Sequence, residues 1–167
     1  MFKTMFNDFS ICPDFTYREF IQTSIDNGTL SNHRYLRDSP ELINNLSILV
    51  GFLQTIRDVF GVVNVHSGVR CTRVNRAVCG VHNSYHLKSL ACDIDYNPQL
   101  IPLFNYLRSV GILKEFICKS GYIHIAIDKD NIIPLVRVES FMLMNYINRC
   151  RKSLLDFTNS SEFILNR

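Results

Sequence analysis

The amino-acid sequence predicts an α+β domain: a small, mostly antiparallel sheet flanked by helices. Three observations carry the prediction. Behind Ser39-Pro40-Glu41, apolar residues recur at helical spacing for some twenty positions. Four short apolar or β-branched runs, 62–66, 90–96, 113–118 and 122–127, have the length of strands rather than helices. The last two are separated only by Lys119-Ser120-Gly121, a tight-turn sequence that makes a hairpin and therefore an antiparallel pair.

The elements follow in order. Thr16 and Glu19 in Phe15-Thr16-Tyr17-Arg18-Glu19 form a capping box, so a short helix is expected there with Phe20, Ile21 and Ile25 inward. Asn27-Gly28 is read as its stop, and 32–38 as a polar connector. Ser39 then caps a helix over 40–60, with Pro40 at its first position and Glu41 near the positive end of its dipole. Its inward face is Leu42, Leu46, Leu49, Leu53, Ile56 and Phe60, and Gly61 ends it.

Residues 62–66 make a strand and 67–89 a loop, with one helical turn around 73–78. On the 90–96 strand, Ala91, Asp93 and Asp95 share one face and Cys92 and Ile94 the other. Asn97-Pro98 opens a helix through about Val110, with Leu103, Leu107 and Val110 inward. In the hairpin, Ile123, Ile125 and Ile127 form a core face, so His124 points the other way. A C-terminal helix is expected over 137–157, with 158–167 frayed. The whole chain, 1–167, reads as a single domain with its core at about 12–128 and a helical extension over 129–167.

Bulk composition narrows the function. Hydrophobic residues are 47% and charged residues 20%, which is globular rather than disordered. The net charge of +3 is too mild and too scattered to point to nucleic acid, though it leaves a weak attraction to anionic surfaces such as cell-wall polymers. No apolar run is long enough to span a bilayer. The opening MFKTMFNDFSICPDF lacks a basic stretch followed by an apolar one, so the expectation is a protein made in the cytoplasm without a signal peptide. The six cysteines are irregularly spaced and read as reduced thiols.

Chemistry concentrates between Val65 and Asp95, which holds three of the five histidines and three of the six cysteines. His86 lies near the end of the 67–89 loop, Asp93 sits mid-strand, and His124 alternates away from three core isoleucines on a later strand. If those strands neighbour each other, the three side chains converge, and two histidines with one carboxylate are a zinc ligand set that leaves a position for water. Spacing alone leaves blander readings open: His124 as a hydrogen-bonded core histidine, Asp93 as a loop cap, Arg70 in a surface ion pair, Ser84 as a turn residue. His66 could line a pocket and His82 could add a ligand, or both could serve the loop and surface. Cys71, Cys79 and Cys92 lie close by but lack zinc-finger spacing.

Taken in order, Ser67-Gly68-Val69-Arg70, Asn75, Ser84-Tyr85-His86, Ala91-Cys92-Asp93 and Tyr122-Ile123-His124 resemble the zinc D-Ala-D-Ala metallopeptidases, most closely their small phage-type branch. The FTYREF opening and the long helix fit the same resemblance, which spans about residues 12–128. It implies a hedgehog/D-Ala-D-Ala-peptidase-like fold and one Zn2+ held by His86, Asp93 and His124. It implies substrate binding by Arg70 and Ser84. The implied function is hydrolysis of amide bonds in D-amino-acid-containing peptidoglycan peptides, as a carboxypeptidase or an L,D-type endopeptidase. The expected setting is the bacterial cell wall, as a phage-type lysis or wall-degrading enzyme.

Two departures stand against the resemblance. Ser89 occupies a position where the family usually has glycine. The family's general base is an acid shortly before the last histidine, yet the third and sixth positions before His124 are Gly121 and Cys118. The nearest upstream acid is Glu115, nine residues back, an odd separation that faces away from His124 in a regular strand unless the turn or a bulge resets it. Glu115 is the expected catalytic residue on this reading. The alternative is a non-catalytic zinc-binding module, of the cell wall or a virion, that has lost its acid.

Overall fold

The computed structural model describes residues 10–132. The expected C-terminal helix and frayed end lie outside the described residues, as does nearly all of the expected extension.

Strands β1 (Ser10–Cys12) and β2 (Phe15–Thr16) pair as a small ribbon that leads into α1 (Tyr17–Ile21). Glu19 reaches back to accept from the Thr16 amide at 2.7 Å, the reciprocal half of the capping box. Helices α2 (Gly28–Arg37) and α3 (Pro40–Phe60) follow, then β3 (Val65–Ser67) and α4 (Thr72–Ala77). A 3₁₀ turn, Tyr85–Lys88, precedes β4 (Ala91–Asp95). A second, Pro98–Leu100, leads into α5 (Ile101–Ser109), and the hairpin β5 (Leu113–Lys119) and β6 (Tyr122–Ile127) completes the domain. The fold is α+β, with one four-stranded sheet in the order β3-β4-β6-β5 and every neighbouring pair antiparallel.

Helix α3 has the expected bounds, and Ser39 Oγ accepts from the Leu42 amide at its start. Leu46, Leu49, Phe52, Leu53 and Ile56 are all at most 5% exposed. Burial of each such side chain contributes roughly 1.5–3 kcal/mol. They join Cys92 and Ile94 of β4, Ile123, Ile125 and Ile127 of β6, and Leu103, Phe104 and Leu107 of α5 in one core. Helices therefore cover one face of the sheet, and Asp93 and His124 stand on the other.

Four details differ from the sequence reading. Helix α1 stops at Ile21, so Ile25 lies outside it and is only half-buried. Gly28 begins a helix instead of ending one, and the expected connector is the body of α2. The reason is steric: a Cβ on Gly28 would lie 2.5 Å from Thr23 Cγ2 and 3.2 Å from Val74 Cγ2, so the glycine serves close packing against α4. Strand β3 is confined to residues 65–67, which alone pair with β4, and Val62 is 67% exposed. Val110 caps α5 and is exposed, while Leu100 and Phe104 supply the inward contacts the expectation gave to it.

One irregularity shapes the site face. Val65 pairs with Ile94 and Ser67 with Asp93, two steps on β3 against one on β4. This bulge leaves His66 as an extra residue and turns Ser67 onto the Asp93 side.

Candidate metal centre

Strand register brings the three expected ligands together. Asp93 pairs directly with His124 across β4 and β6, so their side chains share a face. His86 is lowered onto that face by the 67–90 loop, and its ring lies 5.2 Å, centroid to centroid, from that of His124. One ligand atom from each residue lies within 4.8 Å of the other two, the one such His/Cys/Asp/Glu cluster among the described residues. Cys92 is buried on the opposite face of β4, and His82 is exposed outside the cluster.

Each ligand is oriented by a bond from its other polar atom. His86 Nδ1 donates to the Gly68 carbonyl at 2.6 Å, which leaves Nε2 facing inward, 3.4 Å from Asp93 Oδ1. His124 Nε2 meets Glu115 Oε2 at 2.9 Å, which leaves Nδ1 inward, 2.8 Å from the same Oδ1. Asp93 Oδ2 accepts from Arg70 Nη2 at 2.5 Å, so Oδ1 is the oxygen that faces both rings. This is the arrangement of a metal centre whose outer contacts fix tautomer and direction. Two imidazole nitrogens and a carboxylate oxygen are donors that zinc accepts, so the residues fit the ion.

The electrostatics of Asp93 and His86 agree with this. Burial pushes the Asp93 carboxyl up, but the hydrogen bond from His124, the His86 ring beside it and the Arg70 charge hold it well below the ordinary carboxylate range. Burial lowers His86 and outweighs the opposing pull of Asp93, which favours the neutral ring that a metal requires. For His124, burial also pulls downward, but bonds to Asp93 and Glu115 prevail and the ring is raised.

The loop is held from several sides. Gly68 approaches the backbone of Phe20 closely: an added Cβ would lie 2.8 Å from Phe20 O, which itself accepts from the Val69 amide at 2.7 Å. Asn32, buried in α2, donates to Ile21 O and accepts from the Cys71 amide at 2.9 Å, tying α1 to the start of α4. Tyr35 and Asn45 bond the carbonyls of Leu87 and Lys88. Sequence reasoning missed all three, because each is a polar residue within a helix and gives no motif. Asn75 donates to Val81 O at 2.9 Å and holds the loop that follows α4.

The other expected site residues fall as follows. Arg70 is clamped between Asp93 and Ser67 Oγ, the latter at 2.9 Å from its Nε. Ser84 is buried, and its hydroxyl accepts from the His86 amide at the head of the 3₁₀ turn. Glu115 pairs with Ala126, on the face of His124. Pairing across the two-residue Ser120-Gly121 turn places residues of opposite parity side by side, which removes the obstacle seen in a single strand.

Ser89 ends the 3₁₀ turn at φ +56°, in the left-handed region that glycine occupies without cost. Its hydroxyl is fully buried without a partner. Ser89→Gly is expected to raise stability by about 1 kcal/mol, the usual scale of such strain. Thermal or urea denaturation checks this, and a lower midpoint would contradict it.

An α+β fold carrying two histidines and an aspartate around one point defines a class: proteins with a candidate metal-binding centre on the open face of a sheet. The family model for Peptidase M15 matches residues 13–126, well over half of the chain, and the chain belongs to this zinc-dependent peptidase family. No curated protein and no solved structure matches it.

Proposed function

We propose that this chain is a zinc peptidase that hydrolyses amide bonds in D-amino-acid-containing peptides of peptidoglycan, as a phage-type lysis or wall-degrading enzyme. The observation that carries the reading is the convergence of His86 Nε2, Asp93 Oδ1 and His124 Nδ1, each turned inward by a separate outer contact. The order of motifs from Ser67-Gly68-Val69-Arg70 to Tyr122-Ile123-His124 supports the substrate class.

Zinc bound to these three residues supplies polarisation of the scissile carbonyl and a lowered pKa for the attacking water. Arg70 holds Asp93 Oδ2 and presents the remainder of its planar guanidinium to a substrate carboxylate, a geometry suited to paired hydrogen bonds. Ser84 acts on substrate only indirectly, by fixing the His86 backbone. Glu115 is engaged with His124 and serves first to orient that ring. The same engagement favours a second reading, a zinc-holding wall-binding module without turnover.

The test is to quantify zinc and follow muropeptide release from purified peptidoglycan, with His86→Ala and Glu115→Ala alongside. The expected result is one zinc per chain, hydrolysis, and loss of both in His86→Ala. Glu115→Ala is expected to weaken zinc about 10–100-fold, the usual effect of removing such an outer contact. A collapse of kcat in Glu115→Ala with zinc affinity intact would return the proton-transfer role to Glu115. Zinc without any product would leave the binding module, and a protein that takes up no zinc would sink both readings.

A further inference from the structure

Amide hydrolysis needs a group that takes a proton from water and returns one to the departing amine. Around the metal cluster, Asp93 faces the ligand histidines and Glu115 is bonded to His124. One further acid–base pair stands on the same face. Asp95 lies two residues beyond Asp93 on β4, about 7 Å along the strand. Its Oδ1 is 2.5 Å from His66 Nε2, and its Oδ2 accepts from Asn64 Nδ2 at 2.5 Å.

The backbone explains why His66 is there. The β3 bulge leaves His66 between Val65, opposite Ile94, and Ser67, opposite Asp93, and the bond to Asp95 places its ring on the site face beside Ser67. Ser67 is taken up by Arg70. The His66 side chain remains 53% exposed, and its partner Asp95 45%, so the pair is open to a substrate lying along the sheet. Because Nε2 is held by the Asp95 carboxylate, Nδ1 is the ring atom left to accept a proton. A carboxylate that fixes an imidazole tautomer in this way is the orienting third member of many acid–base sites.

We propose that His66, positioned by Asp95, is the catalytic general base and acid of this peptidase. The inference rests on the hydrolytic reading above. His66 Nδ1 takes a proton from the attacking water, directly or through one further water, as the water oxygen bonds to the carbonyl carbon. The same proton passes from Nδ1 to the amide nitrogen as the C–N bond breaks. The second proton of the water stays first on the new carboxylic acid and passes to the departing amine, so the products are a carboxylate and an ammonium, His66 ends neutral, and Asp95 accepts the Nε2 hydrogen throughout.

The experiment compares wild type, His66→Ala, His66→Gln and Asp95→Asn. Zinc affinity is measured by titration, kcat and KM on soluble peptidoglycan peptides, and the His66 tautomer by imidazole nitrogen NMR before zinc is added. Both His66 variants are expected to bind zinc as wild type does and to lose about 10²–10⁴-fold in kcat with little change in KM. Added imidazole should restore part of the activity of His66→Ala. The NMR spectrum should show the Nε2–H tautomer in wild type, shifting in Asp95→Asn.

An active wild type whose His66 variants keep kcat within twofold would overturn this proposal alone. So would an Nδ1–H tautomer, or a loss of activity that merely follows a loss of zinc. A zinc-loaded wild type that cleaves nothing would overturn this proposal and the hydrolytic reading together.

Discussion

Asp93→Ala should leave a chain that binds no stoichiometric zinc and hydrolyses nothing above background. The carboxylate is the hub of the centre: Oδ1 lies 2.8 Å from His124 and 3.4 Å from His86, and Oδ2 holds Arg70. Removing it deletes one ligand, frees two rings to turn, and leaves a guanidinium only 16% exposed without its counter-charge. Breaking one side of such a buried pair costs about 3–5 kcal/mol. The variant should therefore also be less stable than wild type when both have been treated with a chelator.

The acid limb gives a second readout. The folded Asp93 carboxyl titrates below its unfolded value, so its contribution is fully present above the ordinary carboxylate range and disappears as pH falls through the folded value. Chelated wild type should lose stability over that acid interval, and Asp93→Ala should show a flatter acid limb. Denaturant midpoints measured from neutral pH to about pH 2 make the comparison. Equal midpoints and equal zinc content would remove Asp93 from the centre.

Gly68→Ala is expected to be the most damaging change outside the ligands. An alanine methyl there would lie 2.8 Å from Phe20 O and 2.9 Å from Phe20 Cα, which are backbone atoms that no rotamer change can move. The loop must retreat from α1, and two bonds travel with it: Val69 N to Phe20 O, and His86 Nδ1 to Gly68 O. Overpacking of this kind costs about 1–3 kcal/mol. Loss of the bond that aims His86 should add about a tenfold or greater weakening of zinc. Gly61→Ala is the control, since nothing lies within 4 Å of a Cβ there and its positive φ alone is strained. It should lose about 1 kcal/mol and keep wild-type zinc affinity. If the two variants behaved alike, the α1 contact would not be what holds His86.

The parts of this molecule that announce themselves in sequence are those set by local rules. Helix α3 is bounded by a cap, a proline and a glycine, and its apolar stripe is regular, so its limits coincide with the expectation. The hairpin is specified by Ser120-Gly121, with Gly121 at φ +89°. The clustering of the candidate ligands is legible because strand alternation puts Asp93 and His124 on faces opposite the isoleucines and cysteine beside them.

What stayed hidden depends on contacts between distant segments. Helix α2 buries Gly28, Asn32 and Leu36, a stripe with a single large apolar member, and it begins at an Asn-Gly pair that ordinarily signals a stop. Its Asn32 is buried because Ile21 and Cys71 offer it backbone partners, and neither is visible from residue 32. The Glu115–His124 contact appears only once the turn length fixes which residues oppose each other. The nearness of His66 to Asp95 likewise requires knowing that β3 lies beside β4.

The extra residue in β3 also bears on how this surface can change over generations. Substitutions replace one side chain by another but leave its direction alone. Here direction is set by count. Deleting one residue between Val65 and Ser67 would restore strict alternation, and the side that a given residue faces would change without any alteration in its chemistry. Relatives that differ from this chain by a single insertion or deletion at that point would share nearly all its letters and present a different wall to the substrate. Aligning such relatives by residue type alone would then pair positions that look in opposite directions.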